Sequence, residues 1–147
     1  MKRIASLVLA FVLAALAFSG CGQETALLDG YYTAQAAEFN FGWKEYITIM
    51  VRGGSIVSVE YNAENASGFI KSWDNAYMQT MLHSNGTYPN QYTREYAGQL
   101  LEKQEAGEID ALSGASSSCG SFQKLAAAVL EQAKKGDSGV VFVDTTE

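Results

Sequence analysis

Residues 43–62 read WKEYITIMVRGGSIVSVEYN, two alternating runs on either side of a glycine pair. In the first run Tyr46, Thr48 and Met50 alternate with Ile47, Ile49 and Val51. In the second, Ile56, Ser58 and Glu60 alternate with Val57, Val59 and Tyr61. A period of two is the pattern of a strand with one face buried. Gly53-Gly54 supplies the positive backbone dihedrals of a tight turn, so the stretch predicts a β-hairpin.

Working outward, DGYYTAQAAEF from Asp29 has the tyrosine and threonine content of a preceding strand. Beyond Asn65 the period changes. SWDNAYMQTMLHSNG places Trp73, Tyr77 and Leu82, with Ala76 and Met81, at helical spacing, and Asn85-Gly86 ends the run. After a loop around Pro89, Thr93 stands as a cap for REYAGQLLEKQEAG, with Tyr96, Leu100 and Leu101 on one face and Gly107 as the stop. A third helix, from about Ser117 to Lys135, carries Phe122, Leu125, Ala126, Val129, Leu130 and Ala133 on one face, and Lys134, Lys135 and Gly136 suit its C-terminus. GVVFV reads as a last short strand. Strands followed by helices without regular alternation predict an α+β domain, a small antiparallel sheet with a central hairpin covered by about three helices.

The first 20 residues stand apart. Lys2 and Arg3 precede an apolar run from Ile4 to Phe18, and Ser19-Gly20 lead into Cys21. A positive head, a short apolar segment and small residues make a secretory signal peptide. The run is too short to read as a membrane span. AFSGC resembles a bacterial lipobox, which implies cleavage before Cys21 and a diacylglycerol on its thiol. Residues 21–28 then form a lipidated tether and residues 29–147 one domain of common size, extracytoplasmic and anchored to a bacterial membrane. With Cys21 acylated, Cys119 has no partner, so the domain folds without a disulfide framework. Ten basic against sixteen acidic residues argue against nucleic acid as a partner, since that wants a clustered basic face.

The chemistry-bearing stretch is EIDALSGASSSCGSFQKLAAAVLEQA, from Glu108. A loop with Ser113, Ser116, Ser117 and Ser118 runs directly into the third helix. Helix N-termini carry free N–H groups and the positive dipole end, which stabilise a phosphate. Gly114 permits a sharp turn and Ala115 keeps the approach uncrowded. Simple N-capping also accounts for serine there, although it needs only one hydroxyl. Both readings stand on the residues alone.

DALSGAS, Asp110 to Ser116, resembles the flavinylation signature of the FMN-binding domain family: Asp, a small residue, any residue, Ser or Thr, Gly, Ala, then Ser or Thr. The order of strand, glycine-turned hairpin, helices and signature is similar to that family across most of the mature chain. The resemblance implies FMN joined by a phosphoester to Ser116, with Asp110, Ser113, Gly114 and Ala115 completing the signature. An extracytoplasmic FMN transferase would attach it from FAD. The chain would then be an electron carrier rather than an enzyme, passing electrons from a membrane redox donor to an extracellular or periplasmic acceptor. Trp43, Tyr61, Trp73 and Tyr77 are candidate walls for the ring, each also explicable as core. The alternative function is a surface lipoprotein that binds a protein, peptide or small molecule without flavin.

Other motifs carry less. Ser121 and Lys124 make a Ser-x-x-Lys pair without the Ser-Asp-Asn and Lys-Thr-Gly elements of penicillin-recognising enzymes. His83 is the one histidine, and a metal site wants several converging ligands. Cys119 reads as a buried, inert thiol.

Overall fold

The computed structural model describes residues 26–146; the signal peptide, Cys21 and most of the tether lie outside them. Four strands, β1 (Gly30–Ala36), β2 (Lys44–Arg52), β3 (Ser55–Glu64) and β4 (Val141–Val143), form one sheet in the order β3-β2-β1-β4. Three helices accompany it: α1 (Asn75–Asn85), α2 (Pro89–Lys103) and α3 (Ser116–Lys135). This is the α+β architecture expected from the sequence. One strand departs from the antiparallel scheme, because β4 pairs with β1 in parallel. The antiparallel β1–β2 and β2–β3 pairs make β3 parallel to β1 as well. The β3-to-β4 connection therefore joins parallel strands, and such strands need a long crossover, here supplied by the helices.

The hairpin turns at Gly53 and Gly54, with φ of 62° and 77°, as its glycine pair requires. Ile47, Ile49 and Val51 face the core as their alternation predicts. The β3 alternation does not run unbroken. Val51 pairs with Ile56 and Met50 with Ser58, so Val57 is an extra residue in the ladder and is exposed. A bulge of this kind resets the period, and Ile56 and Tyr61, of opposite parity, are both buried.

The core lies between the sheet and the helices. Phe122, Leu125, Ala126 and Val129 of α3 meet Tyr92, Tyr96 and Leu100 of α2 and the inward strand residues. Leu27 packs against this cluster, and Leu28 N–H donates to the Ala133 carbonyl at 3.0 Å, so the end of the tether docks on the domain.

Helix boundaries differ from expectation in three places. α2 starts at Pro89, preset for a first helical turn, with Tyr88 at the cap position. Thr93 is thus a buried interior residue, not a cap. The same helix ends at Lys103 with Gln104 in the left-handed conformation, before Gly107. α1 begins only after Asp74, whose carboxylate caps it by accepting from Tyr77 N–H at 3.0 Å. It buries no residue, and Trp73, Tyr77 and Leu82 are exposed rather than packed as a core face.

Candidate functional site

The signature loop is pinned from several sides. Gln99 of α2 accepts from Asp110 N–H at 2.7 Å and donates to its carbonyl at 3.2 Å. Lys103 forms an ion pair with the Asp110 carboxylate at 3.0 Å, although that carboxylate is largely exposed. The buried Tyr96 hydroxyl accepts from Leu112 N–H at 3.1 Å and donates to the Ala115 carbonyl at 2.9 Å. Gln123 of α3 donates to the Ile109 carbonyl at 3.0 Å. These contacts tie the loop to α2 and α3.

Gly114 closes the loop against the end of α1. Its φ is 83°, and a Cβ there would fall 2.2 Å from the Asn85 carbonyl oxygen. Ala115 is buried in the core and takes the cap position of α3, with no side chain bonding the first-turn N–H groups. The capping reading of the serines is therefore not what the fold uses. Ser113 and Ser116 are exposed, and neither hydroxyl has a hydrogen-bond partner among the described residues.

Beside the helix start opens a cleft of about 340 Å³. Gly114, Ala115, Ser117 and Ser118 form one side, Asn85 and Met81 of α1 the rim, and Trp43, Tyr77 and Tyr92 aromatic walls. Ser116 begins the same turn but does not itself line the cleft, and neither do Asp110 or Ser113. Of the aromatic candidates, Trp43 and Tyr77 are brought together, with ring centroids 6.3 Å apart. Tyr61 is buried behind the cleft, and Trp73 is 66% exposed and outside it. Phe41 was not foreseen. It sits with φ 49° at a tight turn bridged by Asn40 and Trp43, and 95% of it is exposed at the rim.

Two charged residues line the same space, Glu45 and Lys71. Tyr61 donates to Glu45 Oε1 at 2.9 Å, and its hydroxyl lies 3.2 Å from the Ser118 carbonyl. Burial raises the Glu45 carboxyl, opposed by that hydrogen bond, by the charge of Lys71 and by a hydrogen bond from Ser121. Burial, then the Glu45 charge, holds the Tyr61 hydroxyl well above the usual phenol range, so it remains a donor. Ser121 thus belongs to the floor of the cleft, and its Ser-x-x-Lys partner Lys124 instead donates to the Thr146 carbonyl. Glu45 had a sequence signal, since it shares the strand parity of Ile47 and Ile49. Lys71 had none.

Cys119 is buried, and burial raises its thiol pKa. His83 is exposed, and no group of metal-ligating side chains gathers among the described residues.

No protein-family model matches the chain. It is 34% identical over 137 residues to the 15 kDa lipoprotein of Treponema pallidum (strain Nichols), covering 92% of this chain and 93% of that protein. The crystal structure of the CPE2226 protein from Clostridium perfringens is similar with a TM-score of 0.77 and 35% identity, over 80% of this chain and 98% of that one. A solution NMR structure of a protein from Clostridium thermocellum has a TM-score of 0.51 and 30% identity, over 71% of this chain and 91% of that one.

Proposed function

Since the chain belongs to the family of the 15 kDa lipoprotein of Treponema pallidum, we propose that it is a lipoprotein anchored through Cys21 and carrying FMN covalently on Ser116. The relative's description as a lipoprotein supports the lipobox reading of AFSGC. No helix among the described residues is long and apolar enough to cross a membrane; in this reading the acylated Cys21 is the anchor. The domain would face away from the cytoplasm and carry electrons between a membrane donor and an external acceptor.

The observation that carries the flavin reading is the uncapped start of α3. An alanine at the cap position forgoes about 0.5–2 kcal/mol that a serine there would contribute. The first-turn N–H groups are thereby left free, with the positive end of a 20-residue helix behind them. A phosphodiester on Ser116 would receive those donors and keep its negative charge at the favourable pole. The cleft beside it lies within the range of about 300–1,000 Å³ usual for small-molecule sites. Trp43 and Tyr77 would offer a planar ring aromatic walls, and the hydrogen bonds that tie the loop to α2 would limit the movement of the attachment point.

In the attachment, the Ser116 oxygen would form a bond to the FMN phosphorus of FAD as the pyrophosphate link breaks, with AMP leaving. The exposed hydroxyl suits access by an FMN transferase. Bound there, FMN would supply one- and two-electron exchange. The chain's own part is to hold the phosphate, wall the ring and limit solvent.

Intact mass of the mature protein made together with an FMN transferase tests this. The expected gain is one FMN less one water, absent from Ser116→Ala. An unmodified mass, with the transferase active on a control protein, would reject the flavin and leave a lipoprotein whose cleft binds another small molecule. FMN retained in Ser116→Ala, or found on Ser113, would reject the assigned position.

A further inference from the structure

Lys71 is held in an unusual setting for a lysine. It opens a 3-10 turn, Lys71–Trp73, that is bolted to β3 by buried groups: Asn62 Nδ2 donates to Ser72 Oγ at 2.8 Å, and Ser72 N–H donates to Asn62 Oδ1 at 3.4 Å. The lysine's start point is thereby fixed, and its stem is partly buried. Its Nζ lies 5.4 Å from the Tyr77 ring centroid and 5.9 Å from that of Trp43. Aromatic faces attract a cation, and more strongly where water is reduced.

An ion pair would be the ordinary way to settle a partly desolvated lysine. Lys71 has no carboxylate within 4.0 Å among the described residues, where the ion pairs are Arg94–Glu60, Lys103–Asp110 and Lys134–Glu131. Glu45 is near enough to couple to it electrostatically but gives its Oε1 to Tyr61 instead. The cleft thus contains a clamped cation with room in front of it, on the same walls that would receive the ring. Lys44, by contrast, rests on Phe39 and Phe142 away from the cleft.

We propose that Lys71 faces the edge of the flavin ring that gains negative charge on reduction, and that it sets how readily this protein accepts electrons. The inference rests on the FMN reading above. When the ring takes two electrons and one proton from its donor, the flavin gains one unit of negative charge. A fixed cation beside that charge stabilises the reduced form over the oxidised one, and does so more in a site with little water. Lys71 is a positioning and tuning residue here, not the attachment point.

The test is a spectroelectrochemical titration of the flavinylated mature protein, comparing wild type with Lys71→Gln, Lys71→Arg and Lys124→Gln. FMN loading of each is first measured by intact mass. Lys71→Gln is expected to load fully and to lose at least about tenfold in the preference for the reduced flavin. For a two-electron couple that is a fall of about 30 mV in midpoint potential. Lys71→Arg should restore most of it, and Lys124→Gln, with the same change in net charge, should not move it. A fully loaded Lys71→Gln at the wild-type potential would overturn the proposal. Poor loading of Lys71→Gln with an unchanged potential would place the lysine at the phosphate and overturn it equally. Wild-type protein that takes no FMN would overturn the flavin reading itself, and this inference with it.

Discussion

Replacing Gly114 by alanine isolates what the signature glycine does for the fold. The added Cβ would lie 2.2 Å from the Asn85 carbonyl oxygen and 3.1 Å from the Asn85 carbonyl carbon and Thr87 Cγ2. Ordinary contact begins near 3.4 Å, so the end of α1 must retreat by more than an ångström. Forced repacking of this kind costs about 1–3 kcal/mol, and alanine at positive φ adds about 1–2 kcal/mol. The expected loss is about 3 kcal/mol. Two further glycines separate the contributions. Gly86 also has positive φ but open space around it, so Gly86→Ala should lose only about 1 kcal/mol. Gly120 is an ordinary helical glycine with nothing near it, and Gly120→Ala should gain about 0.5–1 kcal/mol. Urea unfolding followed by tryptophan fluorescence reads all three. If Gly114→Ala is no less stable than Gly86→Ala, the close approach of the signature turn to α1 is wrong.

Two other variants probe groups the fold leaves under tension. Thr93 is buried with Oγ1 unpartnered among the described residues, so Thr93→Val should stabilise by about 1 kcal/mol; a loss of that size in urea unfolding would mean the hydroxyl has a partner. Burial raises Glu45 above its ordinary value of 4.5, so the native state holds this proton more tightly than the unfolded chain. Stability from Glu45 is therefore present below 4.5 and is lost as pH rises toward the elevated native pKa. Glu45→Gln should gain on wild type as pH rises above 4.5. The comparison cancels the shared titrations of Glu131 and Asp144. A stability difference independent of pH would show that the Glu45 carboxylate is well solvated.

What the sequence disclosed follows from which interactions are local. The β2–β3 hairpin was legible because Ile47, Ile49 and Val51 alternate beside a turn only glycine favours, and α3 because its apolar stripe has a helical period and ends in Gly136. The bulge at Val57 was not, since an apolar residue at the expected parity gives no sign that it has dropped out of the ladder. The segment around α1 misled in the opposite way: Trp73, Tyr77 and Leu82 have helical spacing, yet all three are exposed, and the helix borders a cleft while Met81 packs against the core. Lys71 reaches the site through a turn anchored by Asn62, a side-chain pairing ten residues apart with no pattern to betray it.

The signature itself divides along the same line. Gly114 is required by the α1 contact, Ala115 by its buried place at the helix start, and Asp110 is held by Gln99 and Lys103. Folding gives each of these a partner. Ser113 and Ser116 receive none among the described residues, although serine at the position of Ala115 would have capped the helix. A fold seeking only stability would shift a hydroxyl by one residue to use it. Ser116 stands in the first turn of α3 with Ser117, another exposed hydroxyl, whereas Ser113 lies in the loop before it; a phosphate in that turn would gain both the unpaired N–H groups and the helix dipole.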